Sequence, residues 1–334
     1  MKHLSRLMSV LVIVAVLMGM PALSAFAQGD NPACAGLEAA DCEVLTGATA
    51  AMGTVSSFRI PAWSFTLTGT DGTDNIDISA SGSGEFVMPS DPANPMDGLM
   101  VHLVIDSIEA TIPGEDPVSD SAEVIVADGM TYVNYGGQWY GEELTAEDAS
   151  TFGDLFSGSA SGSMGLDSLG IDMTGVVTTT RGADADADGQ AVQTYVTSVD
   201  VGGMLTALLS SPSFGALLGM GMGAEGADMG MGDMTPEDLQ MIGAMFAPML
   251  AGTTIEFTQG IGVDDSYIHS VALDVVLNLD ISMFDPETAP ISGELHFSAG
   301  VSEHNGSFTV EAPAEYSPME ELDAQGGLFG NMGM

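Results

Sequence analysis

Three aspartates at alternate positions, Asp184, Asp186 and Asp188, run into Gly189 within the stretch RGADADADGQ. Carboxylates at this spacing ahead of a glycine open a calcium loop of the D-x-D-x-D-G type. Such a loop draws a further carboxylate from its twelfth position. Counted from Asp184, the ninth residue is Val192 and the twelfth is Tyr195, and both fall where the pattern predicts a strand. The segment therefore reads as an exposed hairpin turned at Asp188-Gly189. Asp184, Asp186 and Asp188 remain weak calcium candidates, and no metal is required.

Two other chemistries have candidate residues. Met220, Met222, Met229, Met231 and Met234, with Met332 and Met334 near the C-terminus, offer thioethers to a soft ion such as Cu(I). No His or Cys lies in that run, so a loop or lid edge with oily side chains accounts for it equally well. For catalysis, His102, His269, His296 and His304 are scattered over expected strands and turns, and neither G-x-S-x-G nor H-E-x-x-H occurs. Carboxylates are so abundant that any pair is uninformative. The expectation is a non-enzyme without a cofactor. Asn305-Gly306-Ser307 fits a glycosylation sequon, but a tight turn already accounts for Asn and Gly there.

The charge excludes more than the motifs suggest. The chain has 334 residues, 47 acidic and only 4 basic side chains, and a formal net charge of −43. Residues 1–27 read as an export signal: Lys2 and Arg6, an apolar core, then AFA before the cleavage point. Loss of Lys2 and Arg6 with that signal takes the charge from −43 to −45 and leaves Arg59 and Arg181 as the only permanent cations. Nucleic acid is excluded as a partner, because nothing can neutralise its phosphates. Anionic head groups are disfavoured for the same reason. A solubilising surface suited to salty surroundings is the bland account of the acidity. At 45% hydrophobic the chain still has material for a core. The expected location is extracytoplasmic, secreted or associated with the cell envelope. A lipid anchor is not expected, since Cys34 follows a poor lipobox. Cys34 and Cys42, the only cysteines, are expected to pair and to staple residues 28–40 onto the first helix.

These residues must be positioned by strands for the most part. A first helix is expected from an Asp41 N-cap, with Leu45, Ala48, Met52 and Val55 at helical spacing. Strands follow with Trp63, Phe65 and Leu67, with Ile76, Ile78 and Ala80, and with Leu99, Val101, Leu103 and Ile105 on single faces. Asp128-Gly129 signals a hairpin, and Trp139 and Tyr140 follow a second turn. Trp63, Trp139 and Tyr140 read as core or rim aromatics. Short helices are expected from Thr145, around Met204–Leu217 and from Thr235 to Gly252. Val271, Leu273, Val275, Leu277, Leu279, Ile281 and Met283 alternate with mostly polar residues, which marks a long strand buried on one face. A last hairpin is expected at Asn305-Gly306, and residues 317–334 read as a flexible acidic, Met/Gly-rich tail.

The order of these elements resembles the LolA-like lipoprotein-carrier superfamily, and more closely its LppX/LprG branch. The resemblance rests on a first helix ending in VSSF, the hairpin VADGMTYVNYGGQWYGEEL, the strand DGQAVQTYVTSVD leading into a helix, and the closing EAPAEYSPMEEL. It implies a domain over residues 41–316 of the α+β class: a curved, unclosed antiparallel β-barrel of about ten or eleven strands, with helices covering its concave face. It implies a lipid or lipoprotein acyl chain held in a hydrophobic cavity between sheet and helices, with transient membrane contact. Met204, Leu205, Leu208, Leu209, Leu239, Ile242, Phe246, Met249, Val271, Leu273, Val275 and Leu277 are the expected cavity lining. The alternatives are an acidic structural protein of the envelope with a filled core, and a calcium- or copper-binding secreted protein.

Overall fold

Alternation of apolar and polar side chains is the local rule most of this chain obeys, and a computed structural model shows what the rule builds. The structure describes residues 34, 36–70, 74–89, 98–114, 117–145, 175–210, 247–250, 252–279 and 290–324. The strands are β1 Ser57–Thr70, β2 Asn75–Val87, β3 Met100–Thr111, β4 Val118–Ala127, β5 Met130–Tyr135, β6 Gln138–Glu143 and β7 Val177–Arg181. They continue with β8 Ala185–Ala187, β9 Gln190–Asp200, β10 Thr254–Gly262, β11 Ile268–Leu279, β12 Ile291–Gly300 and β13 Ser317–Pro318. The helices are α1 Ala39–Met52, α2 Val201–Ser210 and α3 Met319–Ala324, with a 3-10 turn at Ala247–Leu250.

All 13 strands belong to one sheet, in the order β13-β6-β5-β4-β3-β2-β1-β12-β11-β10-β9-β7, with β8 hairpinned onto β9. Among the described residues, β13 and β6 run parallel and the other pairs are antiparallel. The edge strands do not pair with each other among the described residues, so the sheet is unclosed. Two meanders are joined where β1 meets β12, with Phe65 opposite Phe297 and Leu67 opposite Leu295. Thirteen strands exceed the expected ten or eleven, in part because β8 and β13 span only three and two residues, too short to show a period.

Curvature has a local cause. The ladders β1–β2, β2–β3 and β3–β4 shift register at Ile60/Trp63, Ser81/Gly82 and Ile105/Ile108, one bulge per neighbouring ladder. Bulges bend a strand and increase its twist, so three abreast fold the sheet along a line. Gly82 is required on that line. A Cβ there would stand 1.9 Å from the Val104 carbonyl oxygen and 2.9 Å from the Trp63 ring.

The main core lies on one face of the sheet. It joins Phe58, Ile60 and Trp63 of β1 with Phe257 and Ile261 of β10, Leu273 of β11 and Phe297 of β12, beneath Ala48 of α1. A second cluster joins Val176, Val177 and Val199 to Met204, Ala207 and Leu208 of α2. A third lies around Ile125, Ala127 and Tyr132, against Trp139, Val310 and Ala312. Trp63 and Tyr140 are core residues, and Trp139 is partly buried.

Several local expectations hold. Asp128-Gly129 and Asp188-Gly189 both turn hairpins with positive φ at both residues (53° and 74°, 52° and 85°), the signature of a type I′ turn. Cys34 and Cys42 are disulfide-bonded, tying the N-terminal segment to α1.

Three expectations are corrected. The first helix begins at Ala39 behind Glu38, not at Asp41, whose carboxylate binds elsewhere. The chain does turn at Glu303–Gly306, but the return segment makes no strand; only an isolated Arg59–Ser302 bridge extends beyond β12. Its Val310 and Ala312 pack against side chains of β4–β6 instead. Residues 317–324 are not a loose tail: β13 pairs with β6, and α3 buries Met319 and Leu322 in the main core. Apolar residues at 319 and 322 are one helical turn apart, and that spacing was the available signal. The expected helix from Thr145 and most of the one from Thr235 lie outside the described residues.

Gly82→Ala is expected to destabilise the protein by about 1–3 kcal/mol, because the neighbour that must yield is backbone. Denaturant titration against the unsubstituted chain checks this.

Candidate functional site

Register and burial together define the apolar face row by row. One row runs Phe65–Phe297–Leu273–Phe257–Thr197–Thr179 across β1, β12, β11, β10, β9 and β7. The next runs Leu67–Leu295–Val275–Ile255–Val199–Val177, and the one beyond holds Gly69, Gly293 and Leu277, with Ile76 beside Gly69. Exposure rises from one row to the next, along the strands. Phe297 is 1% exposed and Leu273 4%, whereas Leu277 is 38%, Ile76 40% and Ile291 36%. Among the described residues, the face is filled at the end near α1 and open at the end formed by the start of β2, the end of β11 and the start of β12.

Of the expected lining, Val271 and Leu273 sit in the filled part, Val275 at the transition and Leu277 at the open end. Met204 and Leu208 belong to the α2 cluster, Leu205 is partly buried, and Met249 is buried on the 3-10 turn, which packs against both α2 and β11. Asp200 at the end of β9 starts α2 by accepting the Gly203 N–H at 3.0 Å. The side chain of Leu209, and Leu239, Ile242 and Phe246, lie outside the described residues. Sequence reasoning missed Phe65, Leu67, Ile76, Ile78, Ile255, Leu295 and Ile291 as parts of the same face. Their alternation was visible, but only the β1–β12 pairing shows that they continue the face of β11.

Polar groups gather at the filled end. Arg181 Nη1 and the Tyr195 hydroxyl both donate to Asp41 Oδ1, at 3.1 and 3.0 Å, which fastens α1 over β7 and β9. The Arg181 Nη2 donates to Asp184 at 2.6 Å, raising the arginine's pKa further, and Asp186 Oδ1 accepts the Gly189 N–H at 2.8 Å. The three aspartates of the opening motif thus have separate tasks: one ion pair, one turn cap and one positive-φ turn position. Burial, and then the hydrogen bond to Asp41, push the Tyr195 phenol up to about 12. Among the described residues, the buried Trp63 Nε1 has no hydrogen-bond partner.

His102 and His296 lie apart, whereas His269 and His304 are neighbours. His102 pairs with Glu123 at 2.7 Å and His296 with Asp274 at 2.6 Å. His269 binds Asp265 and stands edge-on to His304, which donates to the Ile268 carbonyl and stacks on Tyr267. Burial, and then His269, lower the His304 pKa. Among the described residues, no three His, Cys, Asp or Glu are grouped to hold a metal ion. The Met220–Met234 run and Met332 and Met334 lie outside them. Asn305 is occupied: its side chain accepts from Ser56 and donates to Tyr267. No helix among the described residues is long and apolar enough to cross a membrane.

A groove of about 360 Å3 runs over β1, β12, β11 and β10 between Ser64, Ser298, Ala272 and Thr258. These positions alternate with the core-facing ones, so the groove lies on the outer face rather than beneath the helices.

No family model matches the chain, and no curated protein matches it. Solved structures with a similar course of chain include LprF from Mycobacterium bovis, at 14% identity and TM-score 0.37, covering 82% of this chain and 96% of that one. They also include the lipoprotein LppX from Mycobacterium tuberculosis, at 11% and 0.32, covering 81% and 98%. Lipovitellin, in a structure concerned with lipid–protein interactions, matches at 10% and 0.31, covering 78% of this chain and 26% of its own. Likeness at this level is too slight to carry function to this chain.

Tyr195 gives a pH prediction. Its raised pKa favours the neutral phenol in the folded state, so its contribution to stability is complete below pH 10 and lost as pH rises towards about 12. Asp41→Asn removes the charge that helps hold the proton. Ultraviolet titration is expected to show this tyrosine ionising earlier in the variant, with alkaline unfolding moved to lower pH.

Proposed function

We propose that the chain is an exported, non-catalytic carrier that binds the acyl chains of a lipid or lipid-modified partner against the open end of its apolar face. The gradient of exposure along β11 and β12 is the observation that carries this reading. One continuous apolar face is filled by side chains near α1 and left without full cover near Leu277, Ile76 and Ile291. A structural sheet gains nothing from extending an apolar face beyond its own filling, whereas an acyl chain laid there removes that surface from water at about 25 cal/mol per Å2. Gly69 and Gly293, paired with each other between Ile76 and Leu277, keep the face low where a chain would lie.

The helix α2 and the turn Ala247–Leu250 pack against each other beside β11 and would cover a bound chain. The Cys34–Cys42 disulfide suits an oxidising, extracytoplasmic location. Transfer of the ligand would bring the open end into transient contact with a membrane.

Adjacent residues on β11 provide the test. Leu277 and Val276 are both 38% exposed and point to opposite faces. Leu277→Asp is expected to weaken uptake of a fluorescent fatty-acyl probe roughly tenfold or more, because the new carboxylate must be desolvated by the chain. Val276→Asp should leave uptake unchanged. Equal affinity in the two variants, or no uptake by the unsubstituted chain, would contradict the reading and favour a filled-core structural protein.

A further inference from the structure

The carrier reading leaves the ligand's head group open, and the placement of the two arginines narrows it. On that reading, we infer that the open end accepts amphiphiles with an uncharged or cationic head group and discriminates against anionic ones. Apart from Lys2 and Arg6 near the N-terminus, Arg59 and Arg181 are the chain's only lysines or arginines. Both lie at the filled end. Arg59 stands opposite Glu85 on β2, ten residues along β1 from Gly69, or roughly 30 Å at about 3.3 Å per residue. Arg181 is level with Tyr195, Gln259 and Val271, and Leu277 lies six residues beyond Val271, roughly 20 Å away by the same rise. At physiological ionic strength the field of a charge fades over about 8–10 Å, so neither arginine acts at the open end.

Neither arginine has charge to spare. The Arg59 guanidinium lies between Glu85 and Glu303, and that of Arg181 between Asp41 and Asp184. Each cation is outnumbered by the carboxylates around it.

The open end carries acid instead. Asp77 of β2 and Glu294 of β12 are both exposed and both pair with Thr68, so they flank β1 on the outer face one position in from Gly69. Acyl chains laid along Leu67, Leu295 and Leu277 leave their head group at this rim. A phosphate or carboxylate there would find no lysine or arginine to neutralise it and, at low ionic strength, would feel the negative field of these two carboxylates through the single-layer sheet, whereas a glycerol, sugar or trimethylammonium group would not be repelled.

Displacement of a bound fluorescent acyl probe by competitors of one acyl length tests this. The competitors are a monoacylglycerol, an alkyltrimethylammonium and a lysophosphatidylglycerol. At low ionic strength the first two are expected to bind at least roughly tenfold more tightly than the third, with the gap closing as salt approaches about 1 M. Asp77→Asn combined with Glu294→Gln should narrow the gap without changing monoacylglycerol affinity. Lysophosphatidylglycerol binding as tightly as monoacylglycerol at low salt would overturn the head-group inference and leave the carrier reading intact. Failure of every competitor and of the probe itself to bind would overturn the carrier reading, and this inference with it.

Discussion

The pairing of β1 with β12 is the contact on which the rest of this structure depends. It joins segments more than two hundred residues apart, as the Ser64–Ser298 hydrogen bond across the seam illustrates with a separation of 234. On one side of the seam the chain winds out through β2 to β6, and on the other through β11, β10 and β9 to β7. Each meander has one apolar face. They become a single surface only in the observed register, where Trp63 meets Ala299 and Phe65 meets Phe297. A slip of one residue would turn one half's apolar side chains to solvent. The filled core, the open end and the placing of α1 all follow from this alignment.

The scarcity of cations shapes the remainder. In a chain with a net charge of −43, two arginines sit where separate segments must be held together. Arg59 ties the Glu303–Phe308 turn to β1 and β2, with its guanidinium 5.4 Å from the Phe308 ring centre. Arg181 ties α1 to β7 and to the start of the β8–β9 hairpin. Each pair is partly exposed and individually modest. What they contribute is position, in places where acidic segments would otherwise repel one another. The same economy leaves the open end without positive charge.

Much of this was legible in the sequence, for physical reasons. Long one-faced strands announce themselves by a period of two, so β1, β3 and β11 could be read directly, and both Asp-Gly hairpins are dictated by positive φ at both turn residues. The hairpin expected in ADADADGQ is present, turned at Asp188-Gly189. Two kinds of feature could not be read. The two-residue β13 is too short to show a period, and α3 offers only the Met319–Leu322 spacing, one helical turn that a tail can also contain. The start of α1 was misplaced because Asp41 has the right chemistry for a cap but is taken by Arg181 and Tyr195, partners distant in sequence. For the candidate site, β11 and parts of the two helical segments were named. The half contributed by β1, β2 and β12 was not, since only strand order shows that Leu67, Leu295 and Leu277 share a surface.

A ligand that completes the open end of the apolar face is expected to stay with the protein through purification. Native mass spectrometry of protein purified without detergent, followed by organic extraction of the same sample, tests it most directly. A bound species is expected to survive gentle desolvation and to appear in the extract as an acyl-chain lipid without net negative charge. Protein at its bare polypeptide mass that also takes up no lipid from mixed vesicles would contradict it.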